Sequence, residues 1–235
     1  MRRLEALLPL QLACSGQGRL AALRPPQQKP APEGGVRTLL APVVIADGTG
    51  RVLKELGDLP AMEIALLDGQ WTPRPLGPAT TLAAGGGRIY VGSPDSARVL
   101  VFSDSGRRLP PVGVTSSRRR PTEAHVDAAI AAMVWPVPEG VREPLGKKFR
   151  RIPLPPVLPA YHAVFATATG ALWIQTSFPG DAETAFEVFD TKGQRLGRAN
   201  LPFAARVFEV EDGYLIAGVE DEEGEPAVAM YRITR

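Results

Sequence analysis

The sequence predicts an all-β fold built from about four repeated sheet units with one inserted helix, and three observations predict it. The 235 residues include 24 Gly and 24 Pro, about a fifth of the chain. Punctuation that dense suits many short strands joined by turns better than long helices. Four short segments also align: GRLAAL at 18–23, GRIYVG at 87–92, GALWIQ at 170–175 and GYLIAG at 213–218. Each is a Gly, one variable residue, Leu or Ile, and a mostly apolar continuation, as expected of a strand buried on both faces. A second unit follows the first three of these: VIADGTGRVL at 44–53, VFSDSGRRL at 101–109 and VFDTKGQRL at 188–196. Each reads as a strand end, a tight turn and a new strand. Asp47, Asp104 and Asp190 are expected to accept hydrogen bonds from downstream amides, and Gly50, Gly106 and Gly193 to take positive φ. The last segment runs into EPAVAMYRITR, which leaves three recognisable strands in the final unit.

The leading glycines are separated by 69, 83 and 43 residues. A period near 43 with about four strands per unit fits the blade of a β-propeller, whose repeats span roughly 40 to 50 residues. The reading is a single domain over 1–235, a partial propeller of about four blades, N-terminally incomplete, with insertions at about 58–78 and 115–159. The first insertion holds Trp71 and several prolines. The second holds the expected helix, with Thr122 as its cap and an Ala-rich body from Glu123 to Met133. Four blades cut from a larger ring leave a gap, and exposed strand edges favour pairing between chains, so self-association through open blade edges is expected.

Composition narrows the function classes. With 27 basic against 25 acidic residues the formal charge is +2, too small to point to nucleic acid or an anionic membrane. One Cys excludes an internal disulfide and a Cys-based zinc site, and with two His no cofactor and no catalytic metal are expected. The start MRRLEALLPLQLACSG has the outline of a lipoprotein signal ending at Cys14. Glu5, Pro9 and Gln11 fit that outline poorly, and a core-facing strand over 4–14 with Cys14 buried reads better. The stretch 152–180 lacks Asp, Glu, Lys and Arg, but Pro153, Pro155, Pro156, Pro159 and Pro179 exclude a membrane-spanning helix. It reads as a Pro-rich connector entering two buried strands.

VFDTKGQRLGRANLP at 188–202, GALWIQT at 170–176, IYVGSPDSARVLVFSDSGR at 89–107 and GYLIAGVEDEEGEPAVAMYRI at 213–233 together resemble the six-bladed, NHL-like β-propellers of bacterial envelope or secreted proteins. The resemblance covers nearly all of the chain from about Leu39. It implies an extracytoplasmic location, periplasmic or secreted, and a chain corresponding to the C-terminal part of such a propeller. It identifies a blade pattern and no particular activity.

No catalytic or metal-ligating set emerges from the sequence, and the binding residues are left unassigned. His125, within the expected helix, and His162, beside Tyr161, lack carboxylates or a second His at ligand spacing, and read as surface or packing residues. The acidic run Glu220, Asp221, Glu222, Glu223 and Glu225 lacks the spacing of a calcium loop and reads as a solvated hairpin turn. Arg118, Arg119 and Arg120, with Arg107 and Arg108 nearby, read as a basic loop before the helix; an acidic ligand is the other use for such a cluster. Gly85, Gly86 and Gly87 lead into a strand without the Lys and Ser/Thr of a phosphate loop and read as a turn. Ser15 before Gly16 does not make a nucleophile elbow. Trp173 is placed in the core, whereas Trp71 and Trp135 lie where they can line a binding surface. The expectation is a non-catalytic module that presents loops to a protein or small ligand. The alternatives are a propeller-type hydrolase or lyase using carboxylates around a channel, and an inactive fragment of a longer six-bladed protein.

Overall fold

The glycine-led segments occupy one equivalent place, the second strand of each of four antiparallel sheets. The computed structural model describes residues 10–15, 18–25, 35–93, 95–115, 119–135, 137–220 and 225–234. The first sheet is a meander of β1 (Gln11–Ser15), β2 (Arg19–Leu23), β3 (Val36–Asp47), β4 (Val52–Leu67) and β5 (Gln70–Pro73). The second holds β6 (Thr81–Gly85), β7 (Arg88–Ser93), β8 (Arg98–Ser103) and β9 (Arg108–Gly113). The third holds β10 (Ala163–Ala166), β11 (Leu172–Gln175), β12 (Thr184–Phe189) and β13 (Arg195–Leu201). The fourth has three strands, β14 (Arg206–Val210), β15 (Tyr214–Glu220) and β16 (Pro226–Arg232).

These sheets are four blades of a propeller ring. The leading strands meet in succession, β1 against β6, β6 against β10 and β10 against β14. Alternation along the second strands explains why those of blades two and three carry apolar residues at successive positions, because each of these blades is covered on both faces. Ile89 and Val91 of β7 pack toward Leu23, Val43 and Ile45 of the first blade, whereas Tyr90 between them joins Leu172 and Ile174 of the third. Trp173 points the other way and packs with Val210, Leu215 and Ala217 of the fourth. Two buried tyrosines tie blades two and three together: Tyr90 donates to the Gly170 carbonyl at 2.7 Å and Tyr161 to the Arg98 carbonyl at 2.8 Å. Burial pushes the Tyr161 phenol well above its ordinary range, so it remains a donor.

The turns at Gly50, Gly106 and Gly193 join antiparallel neighbours within one blade, β3 to β4, β8 to β9 and β12 to β13. Asp47 Oδ1 accepts from the Thr49 and Arg51 amides and Asp190 Oδ1 from those of Lys192 and Gln194. The middle turn differs from expectation. There Ser103, three residues before its glycine like the two aspartates, accepts from the Arg107 amide. Asp104 instead offers its carbonyl to Arg19 of the first blade.

Three other expectations change. Residues 58–67 continue β4 and 70–73 form β5, so most of the segment read as the first insertion belongs to the sheet of blade one. The second insertion carries two helices: α1 (Glu123–Val134), capped by Thr122 as expected, and α2 (Glu139–Phe149). Cys14 is exposed rather than buried. Strand alternation sets Ala13 and Ser15 of β1 inward and turns Leu12 and Cys14 out.

The inserted helices span one end of the blades. Val126, Ile130 and Val134 of α1 pack with Leu145 and Phe149 of α2 and with Leu76, which follows β5. Ile152 and Phe149 pack on Ala65 and Leu67 of β4. Lys148 and Arg151 both pair with Asp68 in the β4–β5 turn. At its other end the insertion is held to blade three, where the buried Glu187 of β12 accepts from the Thr115 amide and hydroxyl.

Candidate functional site

In an antiparallel meander the connections alternate between the two ends of the blade. The tight turns, including Gly85–Gly87 and Gly193, therefore lie at one end, and the connections 176–183 and 202–205 around blade three at the other. A concavity opens at this loop end between the third and fourth blades. It is a cleft of about 840 Å³. One wall is the C-terminal part of α1 with Trp135, another is Ala204–Val207 at the start of β14, and the floor is the end of β11 with the loop that follows it.

That loop is held in place by Asp181. Its carboxylate accepts both guanidinium nitrogens of Arg119, the Phe178 amide at 2.7 Å and the Nε2–H of His125 at 3.0 Å. Burial alone would raise the Asp181 pKa, but the hydrogen bonds from Arg119, Phe178 and His125 hold the carboxyl below its usual range. His125 is 2% exposed and its Nδ1 accepts from the Thr122 amide at 2.9 Å, so the ring takes the third position of a capping box normally filled by Glu or Gln. Gly180 fits against α1 only because it lacks a side chain: φ is +96°, and a Cβ would lie 2.7 Å from the His125 amide nitrogen. Helix, loop and cleft wall are thus one unit.

The cleft itself is lined mainly by apolar groups, with Phe165, Phe178 and the 69% exposed Trp135 as its aromatic members. Its polar groups are few. Thr184 is satisfied within the protein, accepting from the Ala205 amide and donating to the Phe203 carbonyl. Gln175 and Ser177, 7% and 5% exposed, meet each other at 3.4 Å, and Ser177 also accepts from the Ala185 amide. The Gln175 Oε1 and one Nε2 hydrogen are left without a partner among the described residues, as is the Ser177 hydroxyl hydrogen. His162 reaches solvent at the cleft and tilts against Phe178, with ring centroids 5.6 Å apart. The protein packed around its imidazole displaces water and lowers its pKa, which favours the neutral ring.

The residues singled out in the sequence divide. His162 and Trp135 come together in the cleft, with His125 just behind its wall. Arg119 serves Asp181, whereas Arg107 and Arg108 lie at the opposite, turn end, so these three arginines do not form one cluster. Arg118 and residues 221–224 of the acidic run lie outside the described residues; β15 and β16 pair as the hairpin expected around that run. Trp173 is in the core, and Trp71 sits on β5 with the Arg37 guanidinium 5.4 Å above its ring. Gly85–Gly87 make the turn between β6 and β7, with φ of +57° and +69° at Gly86 and Gly87. Among the described residues no three His, Cys, Asp or Glu side chains are grouped to hold a metal ion, and no helix is long and apolar enough to cross a membrane. Asp181, Gln175 and Ser177 were not foreseen. The one signal was Gln175 itself, a polar end to an otherwise apolar strand.

No family model matches the chain, and no curated protein sequence matches it. Solved structures do. Hydrazine synthase of Kuenenia stuttgartiensis superposes with a TM-score of 0.40 at 11% identity over 96% of this chain; the chain spans 63% of that protein's length. A protein of unknown function from Bacteroides caccae gives 0.37 at 12% identity, covering 94% of this chain and 76% of its own. A member of the duf4221 family from Bacteroides vulgatus gives 0.35 at 8% identity, with 92% and 86% covered.

Proposed function

We propose that the chain is a non-catalytic binding module whose ligand site is the cleft between blades three and four. The observation that carries this reading is a cleft of about 840 Å³ with aromatic walls and two buried polar side chains, part of whose hydrogen-bonding capacity is unused among the described residues. Sites for small organic ligands have this composition, a mostly apolar concavity with a few placed polar groups. The imidazoles argue against proton-transfer chemistry there. Both nitrogens of His125 are engaged, one by Asp181 and one by the Thr122 amide, and His162 has no carboxylate or hydroxyl in hydrogen-bonding range among the described residues.

Ala204 is exposed and lines the cleft, so Ala204→Trp fills the site without disturbing the core. In a thermal-shift screen of small organic compounds against the full chain, ligands that stabilise the wild type are expected to lose their effect on Ala204→Trp, with the unliganded melting temperature unchanged within about 2 °C. Hits that stabilise both proteins equally bind elsewhere and count against this site.

The same reading places the module in a six-bladed, NHL-like setting outside the cytoplasm and includes self-association. One face of blade four packs on blade three; the other exposes Phe208, Val228 and Met230, the last two at 70% and 68%. Contiguous apolar surface of this kind promotes association. Light scattering is expected to show oligomers that dissociate in the Val228→Lys, Met230→Lys double variant; a monodisperse wild-type monomer overturns this part.

A further inference from the structure

Resting on the cleft as the binding site, we infer that its ligand is an uncharged planar heterocycle with a lactam edge, a ring N–H beside a ring carbonyl. The inference comes from the groups left unsatisfied. Gln175 closes β11 and its side chain is buried to more than nine tenths at the cleft floor. Ser177 holds one end of its amide at 3.4 Å. That contact uses one of the amide's four hydrogen-bonding positions, an Nε2 donor. What remains is an acceptor oxygen and one N–H donor in the plane of a single amide, a pair that a lactam can meet, because its N–H and carbonyl are also adjacent and coplanar. The Ser177 hydroxyl, already accepting from the Ala185 amide, has its hydrogen free for a second ligand acceptor.

The surroundings select against other classes. Phe165, Phe178 and Trp135 offer flat apolar surface, which suits a π-system; a saccharide needs partners for many hydroxyls, and the floor supplies few. The charged groups of the lining balance. Asp181 is neutralised by Arg119, while Arg206, lying over Phe208, and Glu183 form no ion pair among the described residues and are opposite in sign. A strongly charged ligand gains no net attraction from such a rim. The buried amide makes the discrimination sharp, because a ligand that fills the cleft without pairing Gln175 leaves a desolvated donor and acceptor unmade.

The experiment is calorimetric titration of the full chain with uridine and inosine, their lactam N-methylated forms 3-methyluridine and 1-methylinosine, and cellobiose, followed by the apolar dye ANS. At least one lactam nucleoside is expected to bind, with affinity reduced about tenfold or more by N-methylation, which removes the ring N–H, and by Gln175→Glu, which removes the donor. Trp135→Ala, at an exposed position, is expected to weaken the parent and the N-methylated compound by the same factor, since stacking does not read the edge. Melting curves establish that each variant is folded. Equal affinity for parent and N-methylated compounds overturns the inference. Binding of cellobiose alone, or of ANS alone in a manner abolished by Ala204→Trp, also overturns it but leaves the cleft as a binding site. If none binds in the cleft, both readings fail.

Discussion

Gly85→Ala is expected to lower the stability of the chain by about 3 kcal/mol or more, the scale of overpacking against rigid backbone. Gly85 ends β6 and abuts the first turn of blade three. An added Cβ would overlap the Thr167 carbonyl oxygen and stand 3.0 Å from its carbon. Both atoms are backbone, and Thr167 is engaged in that turn, its amide donating to the Ala171 carbonyl at 3.0 Å and its carbonyl accepting from the Gly170 amide at 2.8 Å. Relief therefore requires blades two and three to separate. The cost falls on the cluster containing Tyr90, Leu172 and Ile174. For a domain of this size the loss corresponds to a drop in melting temperature of roughly 6–12 °C. Gly87→Ala is the internal control. Its φ is +69° but nothing lies within 4 Å of a Cβ there, so only the left-handed backbone penalty of about 1–2 kcal/mol applies. If the two variants melt together, close approach between blades is not what Gly85 provides.

These glycines also show where sequence reasoning succeeds and where it stops. A triple Gly between apolar runs signals a turn, because positive φ is a local property. The contact that makes Gly85 intolerant of a side chain joins residues 82 apart, and no local pattern announces it. The blades were legible for a related reason: burial on both faces leaves a continuous apolar run opened by Gly, repeated at 18, 87, 170 and 213. The helix α1 was legible through Thr122. By contrast α2 carries Pro144 in its interior with Gly140 and Gly146 beside it, so propensity does not mark it, and its stripe of Val141, Leu145 and Phe149 is short and only partly buried. The cleft was the least legible part. His125 lacks a local carboxylate partner and finds one in Asp181, 56 positions on, because the blade three loop folds back under α1. Gln175 reads as one polar residue at a strand end until the fold shows that its amide is enclosed.

Asp181→Ala is expected to be the most damaging single change at the cleft, costing about 1–3 kcal/mol, the range for leaving a buried donor without its acceptor. The loss comes from several directions. The Nε2–H of His125, in a ring 2% exposed, has no other partner among the described residues, the Phe178 amide loses its acceptor, and Arg119 loses a two-pronged contact. Because the same carboxylate fixes both the loop and the first turn of α1, the cleft wall bearing Trp135 shifts with it, and ligand stabilisation falls together with melting temperature. Asp181→Asn separates the terms. His125 and the Phe178 amide meet different oxygens of Asp181, so an amide of the same shape can still accept from one of them; it carries no charge for Arg119, and it is expected to recover part of the loss and to flatten the pH dependence. The sign follows from the depressed Asp181 pKa. A carboxyl with a lower pKa folded than unfolded contributes stability above its unfolded value near 4, and that contribution is lost as pH falls through the folded value. Urea denaturation from pH 7 down to pH 3 should show wild-type stability falling below about pH 4 more steeply than that of Asp181→Asn. Parallel curves for the two proteins would mean that the carboxylate does not clamp the loop to the helix, and that the cleft wall is held by apolar packing of α1 alone.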